Sequence, residues 1–449
     1  MVMVLIFSKK FTQSQMIVLG FFIIIITGTL FLMLPIATRG HGGASFLDAL
    51  FTATSATCVT GLVVRDTCQY WTIFGQIVII VLIQIGGLGF MTIGVFFSII
   101  LRRKIGLRTR GILQESVNTL QIGGIVRLAK KIIWGTVFFE SVGAILLSIR
   151  FSQKYGPLKG IYYGVFHSIS AFCNAGFDLM GNKSEYISFT EYADDWIVNI
   201  TIMSLVVIGG VGFLVWDDIS VQKFNFKKYK LHSKIVLMTT AILISSGAIL
   251  FYLFEKNYLM TDMSPSGVIL SSLFSSITAR TAGFNTIDTS LLQENSKMLT
   301  MVLMFIGGSP GSTAGGIKTT TVVVLIIYLR ANIKKINGCN IFGRRLDDDT
   351  IKKASAVLCT NLLLAVVATM MVASSQHLAL TDVLFEVISA IGTVGMSTGI
   401  TRDLNTLSRI IIIFLMYCGR VGSLSFALSI GSNKKTIPVS QPVEHITIG

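Results

Sequence analysis

The chain has 449 residues, is 52% hydrophobic and only 13% charged, and has a mean hydropathy of +0.73. Soluble globular chains carry about 25% charged residues, so this composition excludes one and points to a polytopic membrane protein with the bilayer as its solvent. The net charge of +15 does not make nucleic acid the first inference, because the charge is placed rather than spread. Of the 37 Lys and Arg, 24 fall in five places: the first ten residues, 102–131, 223–234, 330–353, and Lys434 with Lys435. By the positive-inside rule these segments and both termini face the cytoplasm of a plasma-membrane protein.

The elements repeat in chain order. Unit 1 (1–101) has a long apolar segment at about 16–36, a shorter one at 45–57, the stretch Cys58-Val59-Thr60-Gly61, and a second long segment at about 72–101. The first long segment is long enough to span, so no cleavable signal peptide is expected. Unit 2 (102–222) repeats this at about 130–150, 160–172, Cys173-Asn174-Ala175-Gly176 and 196–216. Unit 3 (223–330) does so at 233–254, 267–279, Arg280-Thr281-Ala282-Gly283 and 298–329. Unit 4 (331–449) does so at 354–373, 380–391, Gly392-Thr393-Val394-Gly395 and 409–431. The closing glycines are 115, 107 and 112 residues apart.

The short segments of 12 or 13 residues make roughly 20 Å of helix, too little for a hydrocarbon core of about 30 Å. They read as re-entrant half-helices. Non-helical backbone at membrane depth needs burial in protein or a water-lined cavity, so the four glycine stretches are expected to face one another around a central pore. The fold expected is all-α: four tandem helix–pore helix–filter–helix units in pseudo-fourfold arrangement, with eight transmembrane and four re-entrant helices. Backbone carbonyls can replace the hydration shell of a potassium ion, and glycine supplies the backbone freedom to aim them.

Each second long segment also carries a glycine knot: Gly86-Gly87-Leu88-Gly89, Gly209-Gly210-Val211-Gly212, the run from Gly307, and Gly419-Arg420-Val421-Gly422. In units 1 and 2 these read as close helix packing. In unit 3 the run is Gly307-Gly308-Ser309-Pro310-Gly311-Ser312-Thr313-Ala314-Gly315-Gly316-Ile317-Lys318. Its five glycines and proline break a helix, and it misses the nucleotide-binding GxxxxGK[ST] pattern by one residue. Arg420 stands where the other three knots have glycine, and an intramembrane cation is costly and usually functional.

These four units, their filter glycines and the unit 3 loop together resemble the Ktr-type (KtrB-like) potassium uptake membrane subunit of the Trk/Ktr/HKT superfamily, over essentially the whole chain. The resemblance implies K+ uptake, stimulated by Na+ in the family, with the 307–318 run as an intramembrane gate. In that family a serine at the first filter position accompanies sodium permeation, and Gly61 therefore favours potassium. It also implies a homodimer and a cytosolic ring of RCK (KTN, KtrA-like) subunits that carries ATP or ADP, with no organic cofactor in this chain. The tail 442–449 is expected at the dimer contact, and anionic lipids at the basic loops.

Arg420 is expected below the filter, near the loop, as a barrier to cations, with a structural pair to Glu386 or Asp382 as the alternative. Lys318 is expected beside it or in the cytoplasmic cavity. Arg280 is expected to brace its filter stretch, Glu140 to pair within the bundle or bind a coupling ion, and Asp178 and Asp288 to sit at the outer mouth. The six cysteines read as reduced packing residues. A sodium or mixed-cation transporter, or a secondary symporter with inverted repeats, is the competing reading. The five scattered histidines give no metal-ligand spacing for an enzyme.

Overall fold

The structure is a computed structural model. It describes residues 12–423 except 41, 101–105, 117–122, 183, 224 and 337, together with 426 and 444. The tail expected at a dimer contact, Lys434, Lys435 and the first eleven residues lie outside the described residues.

Among the described residues, four helices are long and apolar enough to cross a membrane: α1 (Gln13–Leu32), α6 (Ile125–Tyr155), α10 (Leu231–Glu255) and α14 (Asp348–Ser375). α1 starts at a capping box, in which Thr12 Oγ1 accepts from the Gln15 N–H and Gln15 Oε1 accepts from the Thr12 N–H. Each long helix is followed by a short one: α2 (Phe46–Thr57), α7 (Pro157–Phe172), α11 (Pro265–Thr278) and α15 (Leu380–Gly392). Pro157 and Pro265 occupy the first turns of α7 and α11, where a missing N–H costs nothing. α7 therefore starts three residues ahead of the expected 160.

The second long segments depart from expectation. Those of units 1 and 2 are not continuous: α3 (Ile73–Leu88) turns 94° into α4 (Phe90–Ile100), and α8 (Trp196–Val211) turns 93° into α9 (Phe213–Gln222). The cause is the third glycine of each knot. Gly89 (φ 78°) and Gly212 (φ 101°) take left-handed backbone that ends one helix and re-aims the next. Counting each bent pair as one span brings the number to six among the described residues; the second segments of units 3 and 4, with helices of 12, 15 and 16 residues, are too short to add to it. Unit 3 supplies two short helices, α12 (Glu294–Phe305) and α13 (Thr319–Ile333), around its loop, and α16 (Thr406–Val421) ends at Gly422 (φ 94°). The basic linkers add α5 (Leu107–Ser116) and a two-residue hairpin, β1 (Asn340–Ile341) with β2 (Arg344–Arg345).

Apolar contacts join the units in a closed circle. One core runs from Ile79 of unit 1 through Phe166 of unit 2 to Phe274 of unit 3. A second joins Met301 and Met304 of unit 3 to Phe385 of unit 4, and a third joins Ile412 of unit 4 to Phe51 of unit 1. Asp48, at the start of α2, is buried and paired to Arg409 of unit 4 (2.8 Å) and Arg65 (3.1 Å). Outward faces stay apolar where lipid would meet them, as at Trp134, Phe138 and Ile145.

Candidate functional site

The four short helices end at the four glycine stretches, and these form a ring. A β carbon on Gly61 would lie 2.5 Å from Ala175 O and 3.1 Å from Gly176 Cα. On Gly176 it would lie 2.8 Å from Ala282 O and 3.0 Å from Gly283 Cα. On Gly283 it would strike Val394 O and approach Gly395 Cα at 3.3 Å, and on Gly395 it would strike Thr60 O and Gly61 Cα. The contacts thus step 61, 176, 283, 395 and back to 61. All four are left-handed, with φ of 96°, 69°, 84° and 90°.

A second set of left-handed residues stands two positions before each glycine: Val59 (56°), Asn174 (58°), Thr281 (75°) and Thr393 (50°). Three are β-branched, the type least suited to this region, at a cost of roughly 1–3 kcal/mol each. The bracing that holds them was not read from the sequence. Ser55 and Ser389 use Oγ to accept from the N–H of Gly61 and Gly395, each at 3.1 Å. Ser170 and Thr278 donate to Phe177 O and Phe284 O, each at 2.7 Å. These hydroxyls lie six, six, six and five residues before their glycines in units 1, 4, 2 and 3, a repeat the sequence displayed. Asn174 accepts from Thr281 Oγ1 at 3.2 Å and donates to Val206 O at 3.2 Å, tying two stretches together.

Outside the ring, the four glycines line one cavity of about 500 Å³ with Asp66, Asp178, Glu185 and Asp288 on its walls. Asp178 accepts from the Met180 N–H at 3.0 Å, and Asp288 caps Ser290. Burial pushes the Asp178 carboxyl up to about 7, against the Met180 bond that favours its charged form.

On the inner side lies the unit 3 loop. Gly86, Gly209 and Gly419 pack on the carbonyls of Thr57, Phe172 and Ile391, each four residues before its unit's filter glycine. The packing reading for the first glycines of units 1 and 2 therefore extends to unit 4. Unit 3 departs: Gly307 packs on Gly315 of its own loop. The loop docks on the break in unit 2. Ser309 N donates to Gly210 O (3.0 Å), Thr313 N to Gly209 O (3.2 Å), and Phe213 N to Gly311 O (2.7 Å). Thr313 Oγ1 donates to Phe172 O at 3.1 Å, and Gly315 abuts Thr393 Oγ1.

Arg420 donates to Thr313 O, to Gly86 O and, at 3.0 Å, to Gly87 O, so it spans loop, unit 1 and unit 4. The alternative carboxylate pair is not formed: Glu386 accepts from Ser397 (2.7 Å) and Thr401 (2.5 Å), and Asp382 pairs with Lys297 (3.2 Å). Lys318 donates back to Ala314 O (2.8 Å) and Gly315 O (3.3 Å). Arg420, Lys318 and Glu115 line an inner cavity of about 290 Å³.

Of two other expectations, the first changes and the second, pairing of Glu140 within the bundle, holds. Arg280 makes no hydrogen bond to its filter stretch. Its guanidinium reaches away to Thr240 Oγ1 of α10 at 3.4 Å and is buried there. Glu140 accepts from Gln84 Nε2 at 3.1 and 3.3 Å, pairing units 2 and 1. All six cysteines are free, and only Cys359 is exposed.

Fold and site define a helical membrane protein organised around backbone packed too tightly for side chains. Its sequence matches the TrkH family, described as cation transport protein, over residues 8–434, and the chain belongs to that family, one of transporters rather than enzymes. Among its relatives, the potassium/sodium uptake protein NtpJ of Enterococcus hirae is 39% identical over 448 residues, covering 98% of each chain. The Ktr system potassium uptake protein B of Bacillus subtilis is 39% identical over 429 residues, covering 95% of each. The Ktr-type resemblance is thus borne out. The crystal structure of the potassium transporter TrkH from Vibrio parahaemolyticus superposes with a TM-score of 0.74, covering 93% of this chain and 84% of its own. At 18% identity that likeness establishes the fold alone.

Proposed function

We propose that the chain carries K+ across the plasma membrane through one pore made by its four units, with Gly61, Gly176, Gly283 and Gly395 at the filter. The observation that carries this reading is the closed ring of left-handed glycines. Left-handed backbone at two positions of each stretch turns carbonyls that would alternate along a strand toward one side, where they can replace water around a cation. The short helices direct their partly negative C-termini at the same place. Relatives named for potassium uptake support K+ as the ion, and the relative named for potassium and sodium makes Na+ the second candidate.

The loop 306–318 is the gate, and Arg420 both tethers it and opposes cations beneath the filter. The loop's hydrogen bonds to unit 2, and those of Arg420 to the loop and to unit 1, support this role. A cytosolic RCK-type ring that binds ATP or ADP would set the gate, in a homodimer with cytoplasmic termini. The relatives named as parts of a Ktr system support a complex of this kind. The test is uptake of K+ against Na+ in a strain lacking its own potassium transporters, with and without such a partner. Potassium uptake that the partner raises is expected, and sodium uptake exceeding potassium overturns the assignment.

A further inference from the structure

The β1–β2 hairpin has no part in the pathway, yet it carries strain. Its two-residue turn puts both Phe342 (φ 49°) and Gly343 (φ 71°) in left-handed backbone. Asn or Gly is the usual first residue of such a turn, and a bulky aromatic is a poor one. Packing within the chain does not offset the strain, because Phe342 is 45% exposed. The residue it presents has its counterpart outside the chain.

The surroundings identify that counterpart. The hairpin faces the linker between α9 and α10 across a cavity of about 410 Å³ lined by Lys227, Lys228, Lys234, Phe342 and Arg344. Among the described residues, none of these four cations has a carboxylate at ion-pair distance. Lys234 is held in place, donating to Lys227 O at 2.8 Å with its ammonium 6.0 Å from the ring of Phe226, itself an exposed aromatic. Leu231 and Lys234 belong to the first turn of the membrane-crossing α10, which sets the cavity at the level where that span begins. Unpaired cations beside exposed aromatics at this depth fit an amphiphile with an anionic head.

We infer that this cavity binds the phosphate of an anionic phospholipid, with Lys227, Lys228 and Arg344 on the headgroup and Phe342 against its glycerol and upper acyl chain. The hairpin then anchors the unit 3–unit 4 linker to the membrane surface.

Native mass spectrometry of the purified full chain tests this, with phosphatidylglycerol and phosphatidylcholine added separately. Each basic residue near an anionic surface is worth roughly fivefold in binding, so K227Q/K228Q/R344Q is expected to lose phosphatidylglycerol retention on the order of 100-fold and leave phosphatidylcholine unchanged. Phe342→Gly relaxes the turn, so a fall in phosphatidylglycerol retention with undiminished thermal stability separates lipid contact from folding. Equal retention by wild type and the triple variant overturns the inference. So does full displacement of the lipid by millimolar inorganic phosphate, which assigns the cavity to a soluble anion. Intact lipid retention with weakened association of a cytosolic regulatory subunit overturns it as well, in favour of a protein partner.

Discussion

Phe213→Pro isolates one backbone hydrogen bond of the proposed gate. Phe213 is the first residue of α9, and its N–H donates across to Gly311 O in the loop at 2.7 Å. Proline is well tolerated at a first helical position, where its fixed φ suits the helix. Gly212 before it has ψ 141°, the extended value that a residue preceding proline needs. The substitution therefore removes the loop's donor without breaking α9. It also removes a buried ring that packs edge-on against Trp216, at roughly 3–5 kcal/mol. Phe213→Ala loses the same ring but keeps the N–H, so it is the reference. One net hydrogen bond is worth about 0.5–1.5 kcal/mol, which predicts K+ flux about 2- to 12-fold higher in Phe213→Pro than in Phe213→Ala. Potassium uptake without a regulatory partner, normalised to protein in the membrane, reads the ratio. Equal flux in the two variants would mean that the loop keeps this bond while ions pass, and the docking argument fails.

Arg420→Ala removes a charge-assisted bond to the loop worth about 1.5–3 kcal/mol, so partner-independent flux should rise tenfold or more; Arg420→Lys, which keeps the charge but loses the planar fork, should fall between. Gly395→Ala places a methyl against Thr60 O and should reduce K+ uptake at least about tenfold. Gly399→Ala is the control: it is equally left-handed (φ 104°) but meets only Arg402 Nη2 at 3.4 Å, and should conduct. Asp178 gains its charge as pH rises through about 7, so uptake at low external K+ should increase from about pH 6 to about pH 8. A pH profile in Asp178→Asn as steep as in wild type would exclude that carboxylate as the cause.

The four units and their short helices were legible because glycine recurs at near-constant spacing and because the apolar segments differ in length. The place of Arg420 was legible because it interrupts a repeat. Four features were not. The breaks at Gly89 and Gly212 were hidden because a Gly-x-x-Gly pattern in an apolar run reads equally as close helix packing, and only the left-handed third glycine separates the two. The bracing hydroxyls were hidden because other Ser and Thr residues stand beside them in the short segments, although their spacing from the ring glycines is nearly fixed. The direction of Arg280 was not legible, since whether a side chain turns toward its own stretch or toward α10 depends on tertiary packing. Nor was the hairpin: Phe342-Gly343 carries only half of the usual turn signal.

The breaks in units 1 and 2 change what those units do. A helix end leaves its last four carbonyls without intrahelical donors. In α3 these include Gly86 and Gly87, and in α8 they run from Ile208 to Val211. Five of these find a donor outside their own helix: Arg420 for Gly86 and Gly87, the loop N–H groups of Thr313 and Ser309 for Gly209 and Gly210, and Trp216 Nε1 for Ile208 at 3.0 Å. Units 1 and 2 thus supply most of the acceptors at this contact, units 3 and 4 supply the loop and the arginine that occupy them, and Phe213 of unit 2 donates back to the loop. A buried carbonyl without a donor is expensive, which favours the docked position of the loop. Under the gating reading the same expense vanishes when the loop leaves, because water and the passing cation then take the donors' place. Under that reading, the carbonyls that hold the loop in place become the oxygens that line the pathway when it opens.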